Sequence, residues 1–348
     1  MSGEERLLAL IKGFGRCRVM VVGDIIADEF IYGQITRVSR EAPVLILKYD
    51  ATEMVGGGAG NAANNVAALA GRAVLAGMVG ADGEGRRLVS SLRRGVERSR
   101  IVRVRHYRTP VKTRILAGGI HSAKQQVVRI DREPGWPLSD EVSRAFAAKL
   151  SSALTGCDAV ILSDYGSGLI TPALAARIRA GLARRSKRPV PLLVDSRHRL
   201  LDYHGMTTCT PNESEVEQIL GVRIDDDQEV LERAGRAVLR RTRSEAVLVT
   251  RGSRGMALFQ PRQATRHIPI FGSDEVADVT GAGDTVIATF ALALAAGGSF
   301  HEAARLANFA GGLVVRKRGT ATVSSRELAD AVERAAAQDQ DQGSGIRD

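Results

Sequence analysis

Short apolar runs that each stop at a glycine or a small polar cluster recur along this chain, and they constrain its fold more than any other feature. Arg18–Gly23 (R-V-M-V-V-G), Ala73–Val79, Asp158–Ser163 (D-A-V-I-L-S), Pro191–Val194 and Ala246–Thr250 are too short for helices. Continuous apolar runs of this length mark strands buried on both faces, as in parallel sheets. From about residue 140 onward they alternate with helical segments. An α/β fold is therefore expected, with a mostly parallel sheet and helices on both faces. Such folds place ligand residues just beyond the strand ends. A chain of 348 residues, 44% apolar and 25% charged, has the material for one large domain with a small appendage.

The appendage is also visible. Phe30–Tyr32, Val44–Tyr49, Val102–Arg105, Val111–Leu116 and Gln126–Asp131 are β-prone runs with little helical periodicity between them. Segments 28–50 and 106–131 are expected to join into a small discontinuous β sheet, a lid on a main body spanning 1–330. Residues 331–348 read as a polar, frayed tail. Lys112, Arg114 and Arg129 alternate along the lid and so share a face. They either meet an anionic substrate group or form an exposed charged surface.

Asp278–Asp284 (D-V-T-G-A-G-D) precedes an apolar run, Thr285–Ala296, long enough for a buried helix. Gly281, Ala282 and Gly283 carry almost no side chain, so a helix starting there leaves backbone N–H groups uncovered at its positive end. That is an anion site, suited above all to phosphoryl groups. Asp284, in the same first turn, is placed to take a proton from a hydroxyl that attacks such a group. The alternative is an ordinary helix start with a capping Asp and two turn glycines.

Other candidates follow the strands. Asp24 and Asp28 lie just past the first strand and suit sugar hydroxyls, or cap a loop. Met54–Asn65 (M-V-G-G-G-A-G-N-A-A-N-N) reads as a glycine-rich loop that exposes N–H groups before a helix of small residues. Asn61 and Asn65, one helical turn apart, share a face and would serve hydroxyl recognition with Gly57 and Gly58. Asn212 and Glu215 open a helix. They either form a capping box or supply oxygens to a Mg²⁺ held largely through water and phosphate. Thr250–Gly255 (T-R-G-S-R-G) is a turn that either lies against a nucleotide or simply joins two strands.

Several classes are excluded. The net charge of +10 is mostly arginine in scattered pairs, and aromatics are only 4%, so nucleic acid is not an expected partner. A modest attraction for anionic substrates is. Cys17, Cys157 and Cys209 are far apart, which argues against disulfides or zinc and for a reducing cytoplasm. No signal peptide opens the chain, and no run reaches the ~18 apolar residues of a membrane span. P-loop, protein-kinase and nucleophile-elbow motifs are all absent.

G-G-A-G-N (Gly57–Asn61), T-P-N-E-S-E (Thr210–Glu215), V-T-R-G-S-R-G (Val249–Gly255) and D-V-T-G-A-G-D-T (Asp278–Thr285) together resemble the ribokinase-like, phosphofructokinase-B type sugar kinases. The resemblance runs from about residue 15 to about residue 330. Within that family the chain looks most like the heptose 7-phosphate kinases of lipopolysaccharide-precursor synthesis. The stretches that carry this are V-V-G-D-I-I-A-D-E-F-I-Y-G, S-R-E-A-P-V, V-K-T-R-I-L, Q-Q-V-V-R-I-D, L-S-D-Y and G-T-A-T-V-S.

The resemblance implies a ribokinase-like fold and an ATP- and Mg²⁺-dependent sugar kinase. Its acceptor would be D-glycero-D-manno-heptose 7-phosphate, phosphorylated at the anomeric hydroxyl; the alternatives are a kinase of the same family for another sugar, sugar phosphate or nucleoside, and a sugar- or nucleotide-binding protein that has lost catalysis. Asp284 would be the base and Gly281, Ala282 and Gly283 the anion hole. Asn212 and Glu215 would organise Mg²⁺, and Thr250, Gly252 and Gly255 would line the nucleotide site. Asp24, Gly57, Gly58 and Asn61 would hold the sugar, and Asp278 and Thr280 would face a monovalent cation such as K⁺. A homodimer formed through the lid is expected. Gly166-Ser167-Gly168 and Ser196-Arg197-His198 stand where those kinases carry A-K-G and P-K-G. Such kinases are often fused to a nucleotidyltransferase module; a later nucleotidyl transfer is expected to fall to another protein.

Overall fold

The computed structural model describes residues 2–118, 124–134, 138–185, 188–272 and 278–344. The expected lid segment therefore has a stretch, 119–123, outside the described residues, as do the last four residues of the expected tail. The strands are β1 (Arg18–Gly23), β2 (Ile25–Val38), β3 (Leu45–Gly58), β4 (Arg72–Gly80), β5 (Val96–Val104), β6 (Val111–Gly118), β7 (Gln125–Arg132), β8 (Ala159–Asp164), β9 (Leu192–Ser196), β10 (Thr208–Cys209), β11 (Ala246–Thr250), β12 (Met256–Phe259) and β13 (Arg266–Ile268). The helices are α1 (Gly3–Gly13), α2 (Ala59–Ala68), α3 (Gly83–Ser91), α4 (Asp140–Ala153), α5 (Pro172–Arg185), α6 (Glu213–Leu220), α7 (Gln228–Thr242), α8 (Ala282–Ala295), α9 (Phe300–Val314) and α10 (Ser325–Ser344).

Nine strands form the main sheet in the order β13-β12-β11-β10-β9-β8-β1-β4-β5. It is parallel from β5 to β11 and antiparallel at the β11–β12–β13 edge. Alternate side chains of one strand enter different cores. Val19 and Val21 pack with α1, α2, α8 and α9, while Met20 and Val22 pack with α4, α5 and α7. Both faces of the sheet are thus covered, which is why its strands read as unbroken apolar runs. Strand order reverses at β1, which lies between β4 and β8. The crevice beyond the ends of β1 and β8 is where such sheets hold ligands.

The second sheet has four strands in the order β3-β2-β6-β7, built from two separated segments, but Val102–Arg105, grouped with it in the sequence, falls instead at the end of β5 at the edge of the main sheet. Its β2–β3 pair is longer than the short runs in the sequence suggested, at 14 residues a strand. Gly56, Gly57 and Gly58 end β3 and pair with Ala27, Ile26 and Ile25 of β2. The glycine-rich loop expected there is a strand end instead. Close approach explains the glycines: a Cβ on Gly57 would come 2.2 Å from Asp28 Oδ2, and one on Gly58, whose φ is 55°, 2.6 Å from the Asp24 carbonyl oxygen. Only Asp24 separates β1 from β2, and nothing separates β3 from α2.

The expected boundary at 330 falls inside α10. Leu328, Ala331 and Val332 are wholly buried against the main core, so this polar-looking stretch has an apolar stripe that holds it on the body. Among the described residues no helix is long and apolar enough to cross a membrane.

Candidate active site

Helix α8 is buried from Asp284 to Ala293, so its first turn is fixed by packing on α2 and α9. Gly281 caps it at φ 77°, where a Cβ would come 2.4 Å from Asn61 Nδ2. The Ala282 N–H donates to the Val279 carbonyl (3.2 Å). Among the described residues, those of Gly281, Gly283 and Asp284 have no acceptor. Of the three amides expected to form the anion hole, Ala282 is therefore turned back into its own loop. Nothing lies within 4 Å of a Cβ built on Gly283, so the space over it is open.

Asp284 is 3% exposed. Asn61 Nδ2 donates to its Oδ2 (2.8 Å) and the Tyr165 hydroxyl to its Oδ1 (3.2 Å). Burial outweighs these two bonds and raises its pKa from 3.8 to about 7. A carboxylate tuned to that value suits a general base near neutral pH.

The asparagines act on this carboxylate. Asn65 Nδ2 donates to Asn61 Oδ1 and to the Asn61 carbonyl (both 3.1 Å), and Thr285 Oγ1 donates to Asn65 Oδ1 (3.0 Å). Asn65 is 0% exposed, which corrects its expected contact with substrate: it orients Asn61, which holds Asp284. Spacing put the two amides on one face, and that face turned inward.

The other acceptor candidates are already engaged. Asp24 accepts the N–H groups of Tyr165 (2.8 Å) and Ser167 (3.2 Å) and the Ser167 hydroxyl, so it pins the segment after β8. Asp28 pairs with Arg114 Nη1 (2.5 Å) and accepts from Thr320 Oγ1 (3.3 Å). Lys112, Arg114 and Arg129 do share a face, because Arg114 lies opposite Arg129 in the β6–β7 register. Arg129 is bound to Asp131 through two bonds (2.9 and 3.1 Å). Lys112 instead stands over the Tyr165 ring, 5.3 Å from its centroid, as does Arg197 at 5.1 Å. Burial, then the charge of Arg197, lowers the Lys112 pKa. A cleft of about 670 Å³ between the two sheets is lined by Asp24, Lys112, Asp131, Tyr165, Ser167 and Arg197, among others.

On the other side of Asp284, Asn212 and Glu215 form the capping box of α6. The Glu215 N–H donates to Asn212 Oδ1 (2.8 Å), and the Asn212 N–H donates to Glu215 Oε2 (2.9 Å). Among the described residues Glu215 Oε1 keeps no protein partner, and burial raises the Glu215 pKa. Asp195, at the end of β9, is held well above the ordinary carboxylate range by burial and then by the charges of Glu215 and Asp284. No group of three or more His, Cys, Asp or Glu forms a metal cage among the described residues. Two carboxylates that burial disfavours as anions are nonetheless hard oxygen donors of the kind Mg²⁺ takes beside water and phosphate.

Thr250 ends β11 and bonds to the Pro211 carbonyl (3.0 Å), next to Asn212. The Arg251 N–H donates to the Gly255 carbonyl (2.9 Å), closing a tight turn with Gly252 at φ 56° and Gly255 at φ 76°. Arg251 Nε (2.6 Å) and Arg254 both hold the buried Glu213, so these arginines fasten the turn to α6. Asp278 accepts from the N–H groups of Thr280 (2.8 Å) and Gly319 (3.0 Å) and joins two loops.

Tyr165 and Asp195 are residues of this cluster that the sequence did not mark as ligands, whereas Arg197 was marked only as standing where those kinases carry a lysine. Tyr165 follows β8, which lies between β1 and β9 in the sheet, while Asp195 and Arg197 stand at and just past the end of β9, between β8 and β10. The signal was there: a polar residue just past an apolar run.

This geometry defines a class. A buried carboxylate at a helix end with open amides, beside a cleft between two sheets, is an arrangement suited to phosphorylating a hydroxyl. The family model described as pfkB family carbohydrate kinase matches residues 17–327, and the chain belongs to that family. It is 40% identical over 324 residues to a protein named bifunctional protein HldE from Pelobacter propionicus, covering 92% of this chain and 64% of that one. A second of the same name, from Erwinia tasmaniensis, is 40% identical over 320 residues, with 92% and 64% covered. The chain thus spans less than two thirds of these relatives. The ribokinase of Arabidopsis thaliana complexed with ribose and ATP superposes with a TM-score of 0.69 at 20% identity, covering 91% of this chain and 99% of that one. Phosphofructokinase-2 from Escherichia coli in complex with potassium gives 0.72 at 17% identity, with 92% and 99% covered. At those identities the likeness is one of fold.

Proposed function

We propose that this carbohydrate kinase transfers the γ-phosphoryl group of ATP to the anomeric hydroxyl of D-glycero-D-manno-heptose 7-phosphate. The observation that carries the chemistry is Asp284, buried, raised to about 7 and standing one residue from the open amide of Gly283. In this reading Asp284 takes the acceptor's proton, the freed oxygen bonds to the γ-phosphorus, and the bond to the ADP oxygen breaks. The free N–H groups of Gly281 and Gly283 receive the charge on the transferred group. The heptose assignment rests on the stretches shared with heptose 7-phosphate kinases and is supported by the 40% identity to the proteins named HldE.

Asn212, Glu215 and Asp195 would hold Mg²⁺, which when bound neutralises the triphosphate. Thr250, Gly252 and Gly255 line the nucleotide side. Asp278 and Thr280 are the proposed neighbours of a monovalent cation, in line with the potassium named for the Escherichia coli enzyme. Three buried free cysteines fit a reducing cytoplasm. A homodimer through the small sheet is supported by its exposed apolar residues, among them Leu45, Tyr49, Val128 and Ile130.

The test is ATP consumption across heptose 7-phosphate, fructose phosphates, ribose and nucleosides. Heptose 7-phosphate should give the highest kcat/KM. Faster turnover of another member moves the acceptor assignment to that sugar.

A further inference from the structure

Both oxygens of Asp284 are already engaged in this structure. Asn61 Nδ2 donates to Oδ2 (2.8 Å) and the Tyr165 hydroxyl to Oδ1 (3.2 Å), and the residue is 3% exposed. A hydroxyl that is to lose its proton here must take the place of one of these donors. The two are not equally free to leave. Asn61 is buried and held from behind by Asn65, whose Nδ2 donates to Asn61 Oδ1. Tyr165 lines the cleft, and its backbone N–H is fixed by Asp24 (2.8 Å), so its ring can turn while the chain stays put. Burial, then the charge of Asp284, holds the phenol well above its ordinary pKa, so it stays a proton donor and does not replace the base. The phenol thus fills the seat of an acceptor hydroxyl before any acceptor arrives. What it keeps out is water. A water at Oδ1 would lose its proton to Asp284, its oxygen would bond to the γ-phosphorus, and the bond to the ADP oxygen would break, giving phosphate and ADP with no sugar used.

We propose that Tyr165 is a placeholder at Asp284 Oδ1, which excludes water and yields only to a sugar hydroxyl, and so sets the choice of sugar over water. The proposal rests on the kinase reading and adds to it the residue that decides which oxygen is phosphorylated. Water offers one hydrogen bond for the one it breaks and leaves the phenol without a partner. A sugar brings contacts along the rest of the cleft, and these offset the displacement of the ring. The reactive arrangement is therefore assembled by the acceptor itself.

The test measures phosphate released by the full chain from Mg·ATP with no sugar present. Wild type should release it slowly. Tyr165→Phe keeps the ring and loses only the hydroxyl, leaving a buried carboxylate oxygen that draws in water. It should release phosphate at least about tenfold faster, with the KM for ATP unchanged. Adding Asp284→Asn to that variant should bring the rate back to the wild-type level. A second measurement needs no variant: 1-deoxy-heptose 7-phosphate, which lacks the reacting hydroxyl, should speed phosphate release by wild type, because it turns the phenol aside and brings no oxygen in its place. A tyrosine that only supports the base predicts the reverse, slower release in Tyr165→Phe. Release no faster in that variant, or faster release that survives Asp284→Asn, overturns the proposal whatever sugars wild type phosphorylates. A deoxy sugar that competes with heptose 7-phosphate yet leaves release unchanged overturns it too. A chain that phosphorylates no sugar tested, but whose Tyr165→Phe variant hydrolyses ATP through Asp284, upholds the placeholder and counts against the acceptor assignment alone.

Discussion

Asp284 is held where its charge costs most. Desolvation lifts its pKa to about 7, and the bonds from Asn61 and Tyr165 recover only part of the loss. The rate should follow this group: kcat/KM rises with pH through about 7 as the base loses its proton, and levels off above. Stability should move the other way. The folded value lies above the unfolded one, so folding binds a proton between about pH 4 and 7 and stability falls as pH rises across that window. Asp284→Asn should therefore lower kcat by at least about 10²-fold. It should leave binding of ATP near wild type and raise the melting temperature at pH 8 but not at pH 4. Kinetics and melting curves at the two pH values check both halves. Turnover retained in that variant removes the base assignment.

At the scale of the element, the start of α8 does two separable jobs through its two glycines. Gly281 is required by backbone and neighbours alike, with its positive φ and Asn61 Nδ2 in the way of a Cβ. Gly283 is required by neither: it is helical, and nothing stands within 4 Å of the position a methyl would take. Alanine there should gain up to about 1 kcal/mol of helix stability. It should nonetheless lower kcat about tenfold or more, because the methyl occupies the place proposed for the phosphoryl group over these amides. A stable, fully active Gly283→Ala protein would show that no group is bound over that turn.

The same element shows what a sequence discloses and what it withholds. D-V-T-G-A-G-D before an apolar run specifies a helix start and an acid in its first turn, because those are local matters of propensity and capping. Which amide stays free is not local: Ala282 turns to Val279 through loop geometry. Asn65 was misjudged for a related reason. Helical spacing fixes which residues share a face but not whether that face looks into the cleft or into the core. The capping box at Asn212 and Glu215 was legible from their spacing, whereas Asp195 beside it becomes part of the site only through the order of strands β8, β9 and β10. The tail misled because alternating Gln and Asp hide the apolar stripe of Leu328, Ala331 and Val332 that binds the front of α10.

At the scale of the whole molecule, the small sheet presents two unlike faces. One carries Lys112, Arg114 and Arg129; register puts Val128 and Ile130 on the other, at 48% and 50% exposure. Large apolar residues left in water on a strand surface favour a second surface of the same kind. The double variant Val128→Lys and Ile130→Lys should sediment as a monomer where wild type is a dimer, with the main body's melting temperature little changed. A wild-type monomer at micromolar concentration sinks the proposed assembly.

The joints between the two sheets have no slack. Asp24 is the single residue between β1 and β2, and α2 begins at the residue after Gly58. Any tilt of the small sheet must twist the chain at those two points. From one of them hang Tyr165 and Ser167, and the other lies three residues from Asn61. The orientation of the Asp284 carboxylate is thus geared, through Tyr165 and Asn61, to the angle at which the small sheet stands over the cleft.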